Sequence, residues 1–357
     1  MNHRLQDLMR DAARLTQTGR LSEATAAIQR ALVGLAPMAA PATPVAAAGE
    51  VLEGCVFESP ATRSGARPAP ERADAREFRS ASFTHASLTR QYKLYVPPGR
   101  LGQALPLVVM LHGCTQNPDD FAAGTDMNTL AREQGFCVLY PAQGQDANPS
   151  RCWNWFKHSH QTRERGEAAL IAALTRAVMQ GQGTDPLRVY IAGLSAGGAM
   201  AGLVAAAHPE LFSALGVHSG LAPGAARTLP EAMAAMKSGA AAAHAQVPLA
   251  LPVIVFHGDQ DPTVHPRNGE QLIRAATGPG GTAAHVERGE SAQGRCHTRS
   301  LYTGPDGSVA AEHWLLHGAG HAWAGGRAAG SYTDPKGPDA SREMLRFFFD
   351  HPRRARH

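Results

Sequence analysis

A serine flanked by glycines is the strongest chemical signal in the chain. It lies in Gly193-Leu194-Ser195-Ala196-Gly197, between a predicted strand, Arg188–Ala192, and an alanine-rich predicted helix, Ala196–His208. A lone G-x-S-x-G string is weak evidence in a chain with 37 glycines. Between a strand and a helix, however, small neighbours permit the tight turn that presents a serine hydroxyl as a nucleophile. The alternative is a plain glycine-rich turn.

A serine nucleophile needs a carboxylate that orients a histidine base, and two aspartates compete for that role. Asp259 and Asp261 both follow the predicted strand Val253–His257. Where a serine occupies this kind of turn, the chain order is Ser, Asp, His, and the acid comes a few residues after its strand. We therefore favour Asp261 as the acid, with Asp259 holding the turn.

Two of the 17 histidines lie in the loop directly after the last predicted strand, Glu312–Leu316, where the base is expected. His317 lies at the strand end. His321 lies among glycines and alanines, in a loop that can turn the imidazole ring toward Ser195. We favour His321 as the base and expect surface or packing roles for most other histidines.

Acyl transfer also needs two N–H groups that stabilise an oxyanion. One comes from the residue after the nucleophile, Ala196, and the other from the loop after the predicted strand Leu105–Leu111. In that loop His112-Gly113 lets the chain turn, and the Cys114 N–H is the predicted second donor. A plain turn is the alternative.

Short hydrophobic runs alternate with helical patterns from residue 81 onward, and these elements must position the groups above. The predicted strands are Tyr92–Val96, Leu105–Leu111, Phe136–Tyr140, Arg188–Ala192, Ala214–His218, Val253–His257 and Glu312–Leu316. The predicted helices are Phe121–Gln134, Arg163–Gln180, Ala196–His208, Asn268–Ala276 and Ser341–His351. This alternation is typical of an α/β fold with a mostly parallel central sheet and helices on both faces. Because chemistry in such folds lies beyond the carboxyl ends of the strands, the proposed nucleophile, acid and base should share one sheet edge.

Four further regions define the predicted domain organisation. They are an N-terminal helical hairpin at 1–35, an Ala/Pro-rich linker or arm at 36–80, a catalytic domain at 81–351 and a basic tail at 352–357. A single helical hairpin cannot bury its own apolar face, so we expect it to dock on the main body rather than on a partner.

Composition and charge exclude several classes of protein. A net charge of only +4 with scattered arginines argues against a nucleic-acid partner. No run reaches the ~18–20 apolar residues of a membrane span, and charges interrupt residues 1–40 where a signal peptide would be apolar, which favours a cytoplasmic address. Five cysteines without a C-x-x-C pair are too sparse for a zinc cluster. We expect no metal, no cofactor, and a monomer or small homo-oligomer.

Four segments together resemble the polyhydroxybutyrate depolymerase family of esterases, which is itself similar to feruloyl and acetylxylan esterases. They are Leu111–Gln116, Arg151–Phe156, Gly193–Gly198 and His317–Trp323. The resemblance runs from about Tyr92 to Phe349. It implies an α/β-hydrolase fold, a Ser195-Asp261-His321 triad and Cys114 as an oxyanion donor. Secreted, polymer-degrading members of this family carry a signal peptide, from which this sequence departs, but the resemblance leaves an extracellular address as the alternative to a cytoplasmic one.

The resemblance also implies an aromatic-lined cleft, for which three tryptophans are candidates. Trp153 and Trp155 alternate, so in an extended segment they share one face. A substrate wall and simple core packing fit these two equally well. Trp323 lies two residues past His321, and we expect it to contact the substrate.

A disulfide between Cys114 and Cys152 is implied in part by the same resemblance. The two cysteines follow neighbouring predicted strands, whose C-terminal ends meet at one sheet edge. A bridge there would hold the Cys114 amide in place for an oxyanion. The alternative is two reduced, buried thiols, which a cytoplasmic address favours.

The sequence therefore predicts a cofactor-free serine carboxylesterase that acts through an acyl-enzyme on short hydroxyalkanoate esters or oligomers. Feruloyl or acetylxylan esters are the alternative substrates. A non-catalytic binding module, or an assembly protein built on the N-terminal hairpin, is the alternative from another class.

Overall fold

The computed structural model describes residues 77–100, 102–241, 247–278, 281–304 and 307–353. The predicted hairpin at 1–35, almost all of the predicted linker at 36–80 and most of the predicted tail lie outside these ranges. The first strand begins at Phe78 rather than after residue 80.

Twelve strands occur in the described ranges, ten of them in one sheet. They are β1 (Phe78–His85), β2 (Leu88–Tyr95), β3 (Leu107–Leu111), β4 (Cys137–Pro141), β5 (Val189–Leu194), β6 (Ala214–His218), β7 (Val253–Gly258), β8 (His285–Glu290), β9 (Cys296–Thr303), β10 (Val309–Leu316), β11 (Trp323–Ala324) and β12 (Thr333–Asp334). The large sheet has the order β1-β2-β4-β3-β5-β6-β7-β10-β9-β8, and β11 pairs with β12 separately.

Seven α-helices connect or follow these strands in the same ranges. They are α1 (Pro118–Thr125), α2 (Met127–Gln134), α3 (Gly166–Gln182), α4 (Ala196–Ala207), α5 (Leu229–Ser238), α6 (Arg267–Thr277) and α7 (Ala340–Asp350). A short 3₁₀ helix spans His158–His160. None of these helices is long and apolar enough to cross a membrane.

The centre of the sheet is parallel and buried on both faces. β4, β3, β5, β6, β7 and β10 run parallel to one another, while β2-β1 and β9-β8 add antiparallel edges. Alternate residues of β3 enter two separate hydrophobic clusters, because successive side chains of a strand point to opposite faces. The predicted mostly parallel sheet with helices on both faces is thus confirmed.

One predicted helix is interrupted. The segment Phe121–Gln134 forms α1 and α2, with Asp126 between them in a left-handed conformation at φ 54°. The Asp126 carboxylate accepts from the Thr129 hydroxyl at 2.7 Å and pairs with Arg327 at 2.6 Å. Asp tolerates this backbone region better than most residues, and the two contacts stabilise the break.

Candidate active site

Ser195 forms a strained turn between β5 and α4. Its backbone lies at φ 57° and ψ −120°, and α4 begins at the next residue, Ala196. A non-glycine residue at positive φ is uncommon, and the strand-to-helix turn of a nucleophile is one place where such strain is maintained. Ser195 is 8% exposed, and its N–H donates to the His218 carbonyl at 2.9 Å.

Two glycines are required by the close approach of backbone around this turn. A Cβ atom on Gly193 would lie 2.4 Å from the Gly197 carbonyl carbon, and one on Gly197 would lie 2.0 Å from the Leu111 carbonyl oxygen. The first turn of α4 is therefore pressed against the end of β3. This packing brings the Ala196 N–H close to the loop that follows β3.

The acid and base predicted from the sequence form a direct pair. His321 Nδ1 lies 2.7 Å from Asp261 Oδ2, and Asp261 Oδ1 accepts from the N–H groups of Thr263 at 2.9 Å and Val264 at 2.8 Å. Burial of Asp261 opposes ionisation, but the hydrogen bond and charge of His321 together with the Val264 N–H outweigh it and lower the pKa of the carboxyl. An ionised Asp261 keeps the proton of a neutral His321 on Nδ1 and leaves Nε2 as the acceptor.

The two rejected candidates, Asp259 and His317, pair with each other instead. Asp259 Oδ2 lies 3.0 Å from His317 Nδ1, and Asp259 Oδ1 accepts from the Gly318 N–H at 2.7 Å. The Asp259 N–H also donates to the Leu316 carbonyl at 3.0 Å. Asp259 therefore joins the turn after β7 to the loop after β10.

Within the residues that the structure describes, no group of three or more His, Cys, Asp or Glu side chains is arranged to hold a metal ion.

Ser195, Asp261 and His321 all follow the C-terminal ends of parallel strands. They come after β5, β7 and β10, which lie in the order β5-β6-β7-β10. The register pairs Leu194 with His218 across β5 and β6, and Leu316 with Gly258 across β10 and β7. The three residues therefore share the sheet edge that the sequence predicted for them.

His218, at the end of β6, links the nucleophile turn to the histidine loop. Its carbonyl accepts from Ser195, and its Nε2 accepts from the Ala324 N–H at 3.0 Å. Its fully buried ring stacks on Trp323, with ring centroids 5.3 Å apart. Sequence reasoning missed this residue, because a single histidine at a strand end carries no motif.

The loop after β3 contains a free N–H group at Cys114. Gly113, Thr115 and Gln116 each donate their N–H to a protein acceptor, whereas the Cys114 N–H between them has no acceptor among the described residues. Ala196 is the first residue of α4, so its N–H has no acceptor within the helix. Both N–H groups proposed from the sequence as oxyanion donors are therefore available for such a role.

His112 fixes the peptide unit that carries the Cys114 N–H. Its Nδ1 lies 2.8 Å from the Gly113 carbonyl oxygen, and its Nε2 accepts from the Gln143 N–H at 3.1 Å. Since Nε2 accepts, Nδ1 carries the proton and donates. Burial lowers the pKa of His112 to about 4, so the ring is neutral near pH 7. The Gly113 carbonyl and the Cys114 N–H belong to one planar peptide, so His112 sets the direction of that N–H.

The predicted disulfide between Cys114 and Cys152 is present. The two Cα atoms are 4.2 Å apart, and the bridge spans a sequence separation of 38 residues. By the chain-entropy model, closing a loop of that length stabilises the fold by about 3–4 kcal/mol. The bridge holds the residue whose N–H is free against the segment that follows β4.

A buried carboxylate forms hydrogen bonds with the segment that follows β4. Glu167, on α3, is fully buried and accepts from Arg90 at 3.3 Å and from the Gln143 side chain at 2.6 Å. It also accepts from the N–H and the side-chain amide of Asn154, both at 2.7 Å. Gln143 in turn donates to the Cys152 carbonyl at 2.9 Å. Buried charges need such partners, and two of these partners, Gln143 and Asn154, lie on either side of Cys152 in the segment that follows β4.

The three tryptophans lie in the core. Trp153 is fully buried and donates its indole N–H to the His112 carbonyl at 3.1 Å. Trp323 is 1% exposed and donates to the Ser341 hydroxyl at 3.0 Å, and Trp155 is also buried. The structure therefore corrects the prediction that Trp323 contacts substrate, and favours the packing alternative for Trp153 and Trp155. The hydrogen bonds of the Trp153 and Trp323 indole N–H groups explain why these two rings are stable inside the protein.

We expect the fold to lose stability on mild acidification because it buries neutral histidines. Burial lowers the pKa of His112 to about 4, of His218 to about 3 and of His313 to about 4. The unfolded chain takes up these protons below about pH 6.5, whereas the folded chain does not until its lower pKa values are reached. The stabilisation is therefore complete above pH 6.5 and declines as the pH falls toward 4, by about 2 kcal/mol per histidine at pH 5.

Urea denaturation at pH 7.5, 6 and 5 measures this loss. His313→Gln should flatten the profile, while the matched change at an exposed position, His285→Gln, should leave it as steep as in the wild type. A free energy of unfolding that stays constant down to pH 5 would contradict the prediction.

Comparison with known proteins finds similarity to esterases. Residues 90–279 match the family model described as Esterase PHB depolymerase. The chain is 30% identical over 239 residues to poly(3-hydroxyalkanoate) depolymerase C of Paucimonas lemoignei, covering 64% of this chain and 57% of that protein. It is 33% identical over 126 residues to feruloyl esterase B of Neurospora crassa, covering 35% of this chain and 42% of that protein. The chain thus spans about half the length of these curated relatives.

A solved structure shares the fold. The acetyl xylan esterase from Aspergillus awamori superimposes with a TM-score of 0.53 at 22% identity, covering 65% of this chain and 89% of that one. The α/β-hydrolase fold expected from the sequence is confirmed. The family match extends over more than half of the chain, from β2 to the end of α6, and the chain belongs to the PHB depolymerase family of esterases.

Proposed function

We propose that this protein is a serine carboxylesterase with Ser195 as nucleophile, His321 as general base and Asp261 as the acid that orients it. The observation that carries the proposal is the 2.7 Å contact between Asp261 and His321 at the same sheet edge as the strained turn of Ser195. The free N–H groups of Cys114 and Ala196 supply the oxyanion hole.

The reaction follows from these roles. Ser195 Oγ attacks the ester carbonyl carbon while its proton passes to His321 Nε2, and the carbonyl oxygen becomes an oxyanion held by the two amides. Asp261 stabilises the resulting imidazolium. His321 then gives the proton to the departing alcohol, which leaves an acyl-enzyme. Water, deprotonated by His321, attacks the acyl-enzyme and releases the acid with Ser195 restored.

For the substrate, we propose short hydroxyalkanoate esters or oligomers. Of the two curated relatives above, the one that matches the larger share of this chain is a poly(3-hydroxyalkanoate) depolymerase, and this likeness supports the proposal. Aromatic or acetylated cell-wall esters are the second candidate, supported by the likeness to a feruloyl esterase. An oxidising compartment suits either substrate class and the Cys114–Cys152 bridge, since reducing pools keep such bonds open. A monomer or small homo-oligomer without nucleic acid stays a prediction.

A comparison of purified wild-type protein on three substrates tests the proposal. We expect kcat/KM on a hydroxybutyrate trimer to exceed that on methyl ferulate and on acetylated xylo-oligosaccharide by about tenfold or more, since pocket contacts discriminate on this scale. A preference for either of the other two would assign the second candidate. Absence of hydrolysis and of organophosphonate labelling would contradict an esterase altogether.

A further inference from the structure

Tyr332 is an aromatic residue that the core does not use. It keeps 45% of its surface exposed, in contrast to the buried tryptophans. It lies in a glycine- and alanine-rich segment between β11 and β12. Folding gains little free energy from an exposed ring, so the position of Tyr332 is best explained by the groups around it.

Tyr332 is attached to both loops that flank the reacting groups. Its carbonyl accepts from the Trp323 N–H at 2.7 Å, two residues past His321. Its hydroxyl lies 3.1 Å from Thr115 Oγ1, the residue next to Cys114. Thr115 Oγ1 donates its own proton to the Cys114 carbonyl at 2.6 Å, so the Tyr332 hydroxyl is the donor to Thr115. The residue therefore bridges the base loop and the oxyanion loop.

Hydrogen bonds from Gln116 and Asp120 hold the segment around Tyr332 in place. Gln116 Oε1 accepts from the Gly113 N–H at 2.9 Å, and its Nε2 donates to the Ser331 carbonyl at 3.1 Å. Asp120 accepts from the Ser331 N–H at 2.8 Å and from its hydroxyl at 2.5 Å. A buried Gln116 thus couples the oxyanion loop to the residue beside Tyr332.

The backbone of Tyr332 is strained in a way that packing does not explain. It lies at φ 52°, and its partner Thr115 lies at φ 66°. A bulky residue at positive φ is an outlier, and such residues concentrate at ligand-binding sites. Glycine would adopt this backbone without strain, but it would lose the ring and the hydrogen bond of its hydroxyl to Thr115. The side chain itself must therefore have a use at the surface.

We propose that the Tyr332 ring is a wall of the substrate cleft, where it packs against an apolar group of the ester next to the scissile bond. An aromatic face offers a large apolar area at low cost in side-chain entropy. The hydrogen bond from the Tyr332 hydroxyl to Thr115 fixes the orientation of the ring. Esters whose acyl or alcohol group is larger than a methyl group gain from this contact, whereas an acetyl group does not. This inference rests on the proposed esterase function.

Two variants and a control test the subsite in the full-length protein. If the ring packs against the acyl group, Tyr332→Ala should raise KM about tenfold for nitrophenyl butyrate through octanoate. If it packs against the alcohol group, the same rise should appear for acetate esters of longer alcohols. In both cases the change in kcat should be much smaller. Tyr332→Phe keeps the ring and should restore KM to within about twofold of the wild-type value. Val286→Ala removes an equally exposed apolar side chain, 55% exposed, from the outer strand β8 and should change neither parameter.

The outcomes separate this inference from the proposed function. Unchanged KM for every ester in Tyr332→Ala, with Ser195 still labelled by an organophosphonate, would overturn the subsite and leave the esterase. A uniform fall in kcat without change in KM would also overturn it, because the residue would then act on the oxyanion loop through Thr115. A wild-type protein that is neither active nor labelled would overturn the function itself. Equal melting temperatures of the variants ensure that KM is compared between folded proteins.

Discussion

Replacing Ser195 with alanine should abolish ester hydrolysis and covalent labelling by an organophosphonate. Removal of the nucleophile leaves only substrate binding and the oxyanion hole, and such losses lower kcat by ~10⁴–10⁶-fold. The fold should survive, because alanine and serine have similar backbone preferences at φ 57° and Ser195 contributes its N–H, not its hydroxyl, to the bond with His218. Circular dichroism measures whether the fold survives, and mass spectrometry measures whether the organophosphonate still labels the protein.

Ser219 provides a matched control for this substitution. It also follows a parallel strand, β6, is fully buried and lies at φ 50°. Ser219→Ala should keep covalent labelling at Ser195. Near-normal turnover in Ser195→Ala, or labelling that moves to Ser219, would refute the assignment of the nucleophile.

Asp261→Asn should lower kcat by ~10⁴-fold. An asparagine amide can donate to His321 Nδ1, which moves the ring proton to Nε2 and leaves no acceptor for the serine proton. The 2.7 Å contact with His321 and the lowered pKa of Asp261 support this expectation. Steady-state kinetics on a nitrophenyl ester give the size of the loss.

Asp259→Asn is the control that distinguishes orientation of the base from support of the loop. It weakens the contacts with His317 and Gly318, so we expect a loss on the order of 1 kcal/mol in the free energy of unfolding. Its effect on kcat should be far smaller than that of Asp261→Asn. If the two effects were reversed, the acid would be Asp259 and its base His317.

The buried strands could be predicted from sequence, whereas the edges of the sheet could not. β3 to β7 are buried along their whole length, so each appears as a continuous apolar run between turns. β8 is exposed at all six positions and therefore has neither an apolar run nor alternation. It becomes a strand only through its pairing with β9, which the local sequence does not encode.

The same distinction applies to the site. Ser195, Asp261 and His321 could be proposed from the sequence because each follows a predicted strand, in the chain order typical of a serine in this kind of turn. The role of a tryptophan could not, because its large apolar ring suits a cleft and a core equally. Its position depends on an acceptor for the indole N–H that lies far away in sequence, His112 for Trp153 and Ser341 for Trp323. Glu167 and Tyr332 carry no local signal either, since their partners come from several loops.

The order of the strands also bears on how the protein folds. Asp261 and His321 are 60 residues apart in sequence, and β10 lies next to β7 although β8 and β9, which come before β10 in sequence, lie outside it. Closing such long loops slows folding, because chain entropy is lost before the distant strands gain their contacts. The neighbouring β3 and β4, joined by the bridge, depend on a shorter stretch of chain. Return of catalytic turnover in a refolding chain would therefore report completion of the whole sheet, later than the recovery of helical circular dichroism.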